Sequence, residues 1–376
     1  TPDTRLPCSR HLKRSCPYAT LNAVYTAGGR HMEEYGPLFA RFDREIPSHI
    51  EIKNTSRGES DFRETLLARW ENGEKLVLKL ACNDFSTAHR LTIWQRCAEA
   101  YRQLGYYCPT ILPDAEGRFP TVPYKGRSCL LWGETFSPYA SAESFPEESI
   151  TKNGFYTYCE DMLTMTAQVA AARFDFCDFP SGYCLFETFC PSDPVDEVLE
   201  NALEWQKTAA ALPEDFQPQV QRIWTRWEKN RQELKKLYPQ LPRSVFQADT
   251  NPTNVLLDES GRFRGVYDFN LCGRDALLNY LFREVPCVMA PRAFGEDYKT
   301  DCILRALKTV SAHYAFCPEE KQAALLLYRC LLPLWFSETE RLKEAGADSE
   351  KIRQCLDQTE YMQTREIDFA SAMERK

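Results

Sequence analysis

Apolar and polar positions alternate through much of residues 49–136, and helical spacing takes over beyond them. Ile50 to Thr55 and Phe62 to Trp70 read as strands, and Glu71-Asn72-Gly73-Glu74 turns the chain into Lys75-Leu76-Val77-Leu78-Lys79-Leu80. Asn-Gly between two such runs is a strong hairpin signal, because the tight primed turn needs φ > 0 at its centre. Period two puts Leu76, Leu78 and Leu80 on one face, with Lys75, Val77 and Lys79 on the other. From Ser86 to Leu104, Leu91, Trp94, Ala98 and Tyr101 recur at helical spacing and Gly105 follows, which predicts an amphipathic helix. Ile111-Leu112, Phe119–Tyr124 and Arg127–Phe136 read as further strands. Residues 1–48 carry no period that places them and stand as an N-terminal extension.

After residue 136 the pattern is mainly helical. Residues 154–173, 195–212 and 216–237 read as helices, the second opened by Asp193 as cap and Pro194 in the first turn. Leu241-Pro242-Arg243 breaks the third before a strand-like run from Ser244 to Gln247. Val255-Leu256-Leu257, a turn at Asp258-Glu259-Ser260-Gly261 and Phe263 to Phe269 form a second hairpin. Segments 276–290, 298–315, 318–345 and 348–374 are helical again. The expected class is α+β: an antiparallel sheet with one helix over 49–136, and a larger, mostly helical lobe over 137–376.

Composition narrows the function. With 376 residues, 43% hydrophobic and 12% aromatic, the chain is globular and long enough for two lobes. A net charge of −8 lacks the basic face that a nucleic-acid partner requires. Sixteen cysteines invite a disulfide or zinc framework, yet no C-x-x-C pair occurs and only five His are present. Cysteines acting as small buried hydrophobes in a reducing compartment fit better. No apolar stretch approaches the roughly 20 residues of a membrane span, and no signal peptide is visible, so the expected compartment is the cytoplasm.

The chemistry concentrates in residues 247–270, QADTNPTNVLLDESGRFRGVYDFN. Asn254 follows Asp249 by five positions, and a hairpin then returns Asp268 beside them. Phosphoryl transfer needs such a trio: a carboxylate to orient and deprotonate the attacking hydroxyl, and a carboxamide and a second carboxylate to hold Mg²⁺. A solvated polar turn followed by an ordinary hairpin would share the local pattern, but not the third group in place.

The run resembles the catalytic and metal loops of the protein-kinase-like superfamily, closest to its aminoglycoside phosphotransferase and choline kinase group of small-molecule kinases. That resemblance implies a bilobal fold and an ATP- and Mg²⁺-dependent phosphotransferase acting on a hydroxyl of a small molecule. It makes Asp249 the catalytic base and Asn254 and Asp268 the metal ligands. Lys79, in Val77-Leu78-Lys79 of the third strand, would reach the α- and β-phosphates. The turn holding Ser56, Gly58 and Ser60 would cover the phosphates, and the backbone near Trp132, Gly133 and Glu134 would meet adenine. Glu99 is the candidate partner for Lys79, with Gln95 fitting the spacing at least as well. Asp275 would be a structural brace for the catalytic loop.

Two departures stand out. Gln247 occupies the position two before the base where the superfamily usually has His, and Asn270 follows Asp268-Phe269 where protein kinases have Gly. The second, with no activation segment or Ala-Pro-Glu motif following, argues against a protein kinase. The missing His at 247, a phosphate turn with a single Gly and the open choice of Glu99 as lysine partner motivate the rival class, a nucleotide-binding pseudokinase without turnover. The acceptor stays open. Phe174, Phe176, Phe179, Tyr183, Phe186 and Phe189, with Asp175 and Asp178, could wall a site for a cationic acceptor, although such aromatic runs are more often core.

Overall fold

A computed structural model describes the backbone of residues 23–26 and all of residues 32–291 and 297–375. The first lobe is a seven-stranded antiparallel sheet: β1 (Ala23–Thr26), β2 (His49–Asn54), β3 (Phe62–Arg69), β4 (Lys75–Cys82), β5 (Ile111–Leu112), β6 (Thr121–Tyr124) and β7 (Arg127–Thr135), in the order β1-β2-β3-β4-β7-β5 with β6 also on β7. The Asn72-Gly73 turn sets the β3–β4 register, with Gly73 at φ 85° and Leu66 opposite Leu78. Leu76, Leu78 and Leu80 pack with Ile50, Ile52, Leu66 and Leu131 on one face. What covers that face comes from the segment the pattern left unplaced. Met32, Tyr35, Leu38 and Phe39 lie against it, the last two on the short helix α1 (Gly36–Ala40). Residues 1–22 and 27–31 of the N-terminal extension lie outside the described residues.

The other face receives α2 (Ala88–Gln103), capped by the Thr87 hydroxyl accepting from Arg90 N at 3.2 Å. Leu91, Trp94, Ala98 and Tyr101 are all buried, as their spacing predicts. Each large apolar side chain removed from water there contributes about 1.5–3 kcal/mol.

Past β8 (Ala140–Ser141) and the small hairpin β9 (Thr151–Lys152) and β10 (Phe155–Tyr156), the second lobe is built on α3 (Cys159–Ala172), α4 (Glu197–Ala210) and α5 (Gln217–Leu237). Three short strands carry the site: β11 (Arg243–Phe246), β12 (Val255–Leu257) and β13 (Phe263–Val266). β14 (Gly273–Ala276) pairs antiparallel with β11. Helices α6 (Leu277–Arg283), α7 (Val285–Val288), α8 (Tyr298–Ser311), α9 (Pro318–Leu331), α10 (Phe336–Ala345), α11 (Ser349–Thr364) and α12 (Phe369–Ala372) complete it. Among the described residues no helix is long and apolar enough to cross a membrane, and none of the described cysteines is disulfide-bonded.

Several boundaries differ from the sequence pattern. The cap of α4 is Asp196, whose carboxylate accepts from Leu199 N at 3.0 Å, rather than Asp193. Segment 318–345 is two helices, because Pro333 cannot continue the first. The strand from Phe263 stops at Val266, since Asp268 leaves the β region with φ 61°.

The lobes also meet behind the sheet. Tyr107, just after α2, accepts from Val266 N at 3.1 Å and donates from its own N to Arg264 O at 2.7 Å. Between them sits Gly265, where a Cβ would come within 1.8 Å of the Tyr107 carbonyl oxygen. Only glycine permits that approach.

Candidate active site

The chain leaves β11 at Phe246 and turns sharply. Ala248 at φ 74° and Asp268 at φ 61° are left-handed non-glycine residues in two facing loops, and such strain, on the order of 1–3 kcal/mol per residue, persists only where surroundings enforce it. The enforcing group is Gln247. Its buried amide donates from Nε2 to the carbonyls of Asp249 (2.9 Å), Tyr267 (2.9 Å) and Asp268 (2.8 Å), and its Oε1 accepts from Asp249 N at 2.9 Å. One neutral side chain therefore pins the loop of Asp249 to the loop of Asp268, from the position where the sequence resemblance expects a histidine.

Within the base loop, Asn254 Nδ2 donates to Asp249 O at 3.0 Å, so its amide oxygen is the group left to offer a cation. Asn251 Nδ2 donates to Asp249 Oδ1 at 2.6 Å and orients the carboxylate. Burial pushes the Asp249 carboxyl above its ordinary range, nearby Asp268 adds to this, and Arg283, Asn251 and Arg57 pull the other way. A carboxylate so raised is a better proton acceptor than a solvated one.

Lys79 reaches this place from the opposite lobe. Its Nζ lies 3.0 Å from Glu134 Oε1 and 3.7 Å from Asp268 Oδ1. Burial alone would lower the ammonium's pKa, but attraction to Glu134 and Asp268 outweighs it and the net shift is upward, which keeps the lysine charged. Its partner is thus neither Glu99 nor Gln95. Glu99 is exposed on α2 and bonded to Arg102 at 2.5 Å, while Gln95 Nε2 donates to Ile111 O at 2.9 Å. Strand register explains the substitute. Lys79 is paired with Trp132, so Glu134 is its diagonal neighbour on the same face of the sheet.

That same register corrects the adenine-binding expectation for Trp132, Gly133 and Glu134. The backbone of β7 at Gly133 and Glu134 is flanked by β4 on one edge and β5 on the other. Trp132 is buried and donates from Nε1 to Glu134 Oε1 at 3.1 Å. In the β2–β3 turn, Ser56 Oγ is occupied closing the loop, accepting from Arg63 N at 2.9 Å and donating to Arg63 O at 3.2 Å. Gly58 supplies the positive φ of 102°, and Ser60 is exposed.

The model of a family described as the phosphotransferase enzyme family matches residues 56–279, more than half the chain, from the β2–β3 turn through the Asp268 loop into α6. The chain belongs to the phosphotransferase enzyme family. No curated protein matches it. Similar solved structures include an aminoglycoside phosphotransferase from Alicyclobacillus acidocaldarius (12% identity, 89% of this chain and 94% of that one, TM-score 0.47). Others are the amicoumacin kinase hAmiN with AMP-PNP, Ca²⁺ and Ami (14%, 85% and 91%, 0.47) and the macrolide 2'-phosphotransferase MphH from Brachybacterium faecium (10%, 90% and 100%, 0.43).

In this phosphotransferase the aromatic run at 173–190 is mainly core, although Phe186 lines a hollow with Tyr238, Lys235 and Arg243, a lining that does not include Asp249. Phe179 and Phe189 are buried, with the Arg90 guanidinium of α2 at 4.4 and 4.2 Å from their ring centroids. Phe174, Phe176 and Phe186 pack on the same core, and Asp178 is exposed and paired with His89 at 2.8 Å. The segment docks the sheet lobe on the helical lobe, and the support for a cationic acceptor goes with it. Tyr183 is the exception. It is buried over Arg283, whose guanidinium carbon is 2.9 Å from the ring centroid, and it interacts electrostatically with Asp249.

One support of the loop that holds Asp249 escaped the sequence pattern. Glu284 Oε1 accepts from Thr250 N, next to Asp249, at 2.9 Å, and its other oxygen accepts from Arg283 at 2.5 Å. Burial raises its carboxyl to about 8 against the attraction of Arg283. Asp275 braces something else, accepting from Ser181 Oγ (2.8 Å), Tyr238 Oη (2.7 Å) and Asn279 Nδ2 (2.9 Å).

Proposed function

We propose that this phosphotransferase uses ATP and Mg²⁺ to phosphorylate a hydroxyl of a small-molecule acceptor in the cleft between its lobes. The observation that carries the proposal is Gln247, one side chain bonded to the backbones of both Asp249 and Asp268, with Lys79 reaching Asp268 from the facing sheet. Asp249 is the base. As the acceptor oxygen bonds to the γ-phosphorus, the bond from that phosphorus to the β-phosphate oxygen breaks, and its electron pair leaves on ADP. The acceptor's proton passes to Asp249 and then to solvent.

Asn254 and Asp268 would hold the metal. Their amide and carboxylate oxygens are the hard donors Mg²⁺ accepts, and Asp268 is partly open to the cleft. When bound, the metal offsets charge on the phosphates. Lys79, steadied by Glu134, would contact the phosphates from above. Adenine would meet the chain past β7, in segment 136–139, where the backbone is free of the β4–β7 and β5–β7 pairing.

Calorimetry with Mg·ATP, followed by ADP release across a library of hydroxyl compounds, tests this. Wild type should bind Mg·ATP and turn over with some acceptor. Asp249→Ala should keep ATP affinity and lose turnover, because the base touches the acceptor rather than the nucleotide. ATP binding without turnover in any condition would instead favour the pseudokinase alternative.

A further inference from the structure

The β2–β3 loop closes on itself. Ser56 N donates to Asn54 Oδ1 at 2.9 Å, the Ser56 hydroxyl is held by Arg63, and Arg57 N donates to Asp61 O at 2.8 Å. Glu59 and Ser60 are exposed. Arg57 of this loop turns inward and is half-buried. Its Nη1 is shut off from solvent and has no hydrogen-bond partner among the described residues. The loop's own Asp61 attracts the guanidinium, but it is engaged by Arg63 Nε at 2.7 Å and by Asn83 Nδ2 at 3.0 Å, and no bond from Arg57 Nη1 reaches it.

Across the cleft the guanidinium is in electrostatic reach of Asp249 and Tyr183, while Asp249 Oδ1 is already taken by Asn251. The Tyr183 hydroxyl, also buried, has no partner among the described residues either. The buried Nη1 of a cation and a hydroxyl donor therefore lie within electrostatic reach of Asp249, both atoms lacking an acceptor. The missing partner is an anionic oxygen, and a guanidinium's planar fork fits a phosphoryl group's oxygens.

We infer that Arg57 binds the phosphoryl group in flight between ATP and the acceptor, doing with a side chain what a glycine-rich loop does with backbone amides. The inference rests on the phosphotransferase site proposed above. Position supports it, since the loop belongs to the sheet lobe and Asp249 to the helical lobe, and the transferred group must lie between them. The other cleft cation, Lys79, is held by Glu134 and Asp268. Burial, with Arg63 nearby, pushes the Arg57 guanidinium down to about 10, so it stays charged at neutral pH in a place an incoming anion would relieve. A side chain aimed at the γ-phosphoryl group distinguishes ATP from ADP, which a general phosphate contact does not.

The test compares wild type, Arg57→Ala and Arg57→Lys by calorimetry with Mg·ATP and Mg·ADP, and by ADP release to water as acceptor. Arg57→Ala should weaken ATP about tenfold or more while ADP affinity holds, and slow ADP release by on the order of 10²-fold or more, the scale of an arginine stabilising transferred phosphoryl. Arg57→Lys should recover ATP affinity in part but little of the rate, because a point charge lacks the fork. An unchanged ATP-to-ADP affinity ratio in Arg57→Ala, with its melting temperature at the wild-type value, overturns the inference. Wild type failing to bind either nucleotide would instead bring down the site proposal itself, a result read before any variant is made.

Discussion

Replacing Gln247 by alanine tests whether one amide holds the active loops together. The substitution removes the acceptor of Asp249 N–H and the donor to the Tyr267 and Asp268 carbonyls, at 2.8–2.9 Å. The Asp249 carbonyl keeps the Asn254 amide at 3.0 Å and is not orphaned. Three buried backbone groups thus lose their side-chain partner. At about 1 kcal/mol each the loss is about 3 kcal/mol, provided water does not fill the gap. The strained residues Ala248 and Asp268 adjoin those groups, so the loops should relax away from their active positions. A shift of the base by about 1 Å costs on the order of 10²-fold in rate. Gln247→Glu is the sharper probe, because it keeps the shape but sets a carboxylate oxygen against three carbonyls; it should be at least as damaging as alanine. Urea denaturation and ADP release from Mg·ATP read both effects. A Gln247→Glu protein with wild-type stability and rate would refute the role given to this residue.

Other expectations follow from the same cleft. Lys79→Met should destabilise the fold by leaving buried Glu134 without its cation, and Lys79→Met with Glu134→Gln should regain stability but not ATP affinity, whereas Glu99→Ala should change neither; urea melts and calorimetry separate these outcomes. Because burial and Asp268 raise the Asp249 carboxyl, turnover should climb with pH through a value above the ordinary aspartate range as the base ionises. A pH–rate profile flat across that limb would count against Asp249 as base. Glu284, raised by burial from 4.5 to about 8, binds its proton more tightly folded than unfolded. Its contribution to stability is full below about 4.5 and is lost as pH rises toward about 8. Glu284→Gln, which keeps an oxygen for Thr250 N, should show a shallower decline over that window in denaturation at both ends, and a slope equal to wild type would overturn the assignment.

Much of the fold was legible because it is locally encoded. The Asn72-Gly73 turn, the leucine alternation of β4 and the apolar stripe of α2 each state their structure within a few residues. The closeness of the Asp249 and Asp268 loops was legible for the same reason, since Asp249, Asn254 and Asp268 sit on one loop and hairpin. What stayed hidden depends on pairing at a distance. The cover of the sheet's outer face by Tyr35, Leu38 and Phe39 has no period, because a five-residue helix and a turn are too short to show one. The Lys79–Glu134 pair follows from β4–β7 register, which sequence spacing alone does not fix, and the family resemblance pointed instead to Glu99 on α2, with Gln95 fitting the spacing. Arg90 drew the aromatics of 173–190 into an interlobe contact that looked from composition like a pocket wall.

The cleft's charges divide into a committed set and an open one. Lys79 is bonded to Glu134 and bridges to Asp268, so it ties the sheet to the Asp268 loop without any nucleotide. Arg57 faces Asp249 without a hydrogen bond from Nη1, so its charge is available. A phosphoryl group entering between Arg57 and Asp249 would meet a cation on one side and a base on the other. When Asp249 takes the acceptor's proton its charge is neutralised, so its repulsion of the phosphoryl group would fall while the attraction of Arg57 remains. Removing either charge should therefore affect the rate more than the fold, since neither side chain supports a strand or helix, and that separates them from Gln247, whose loss must show in both.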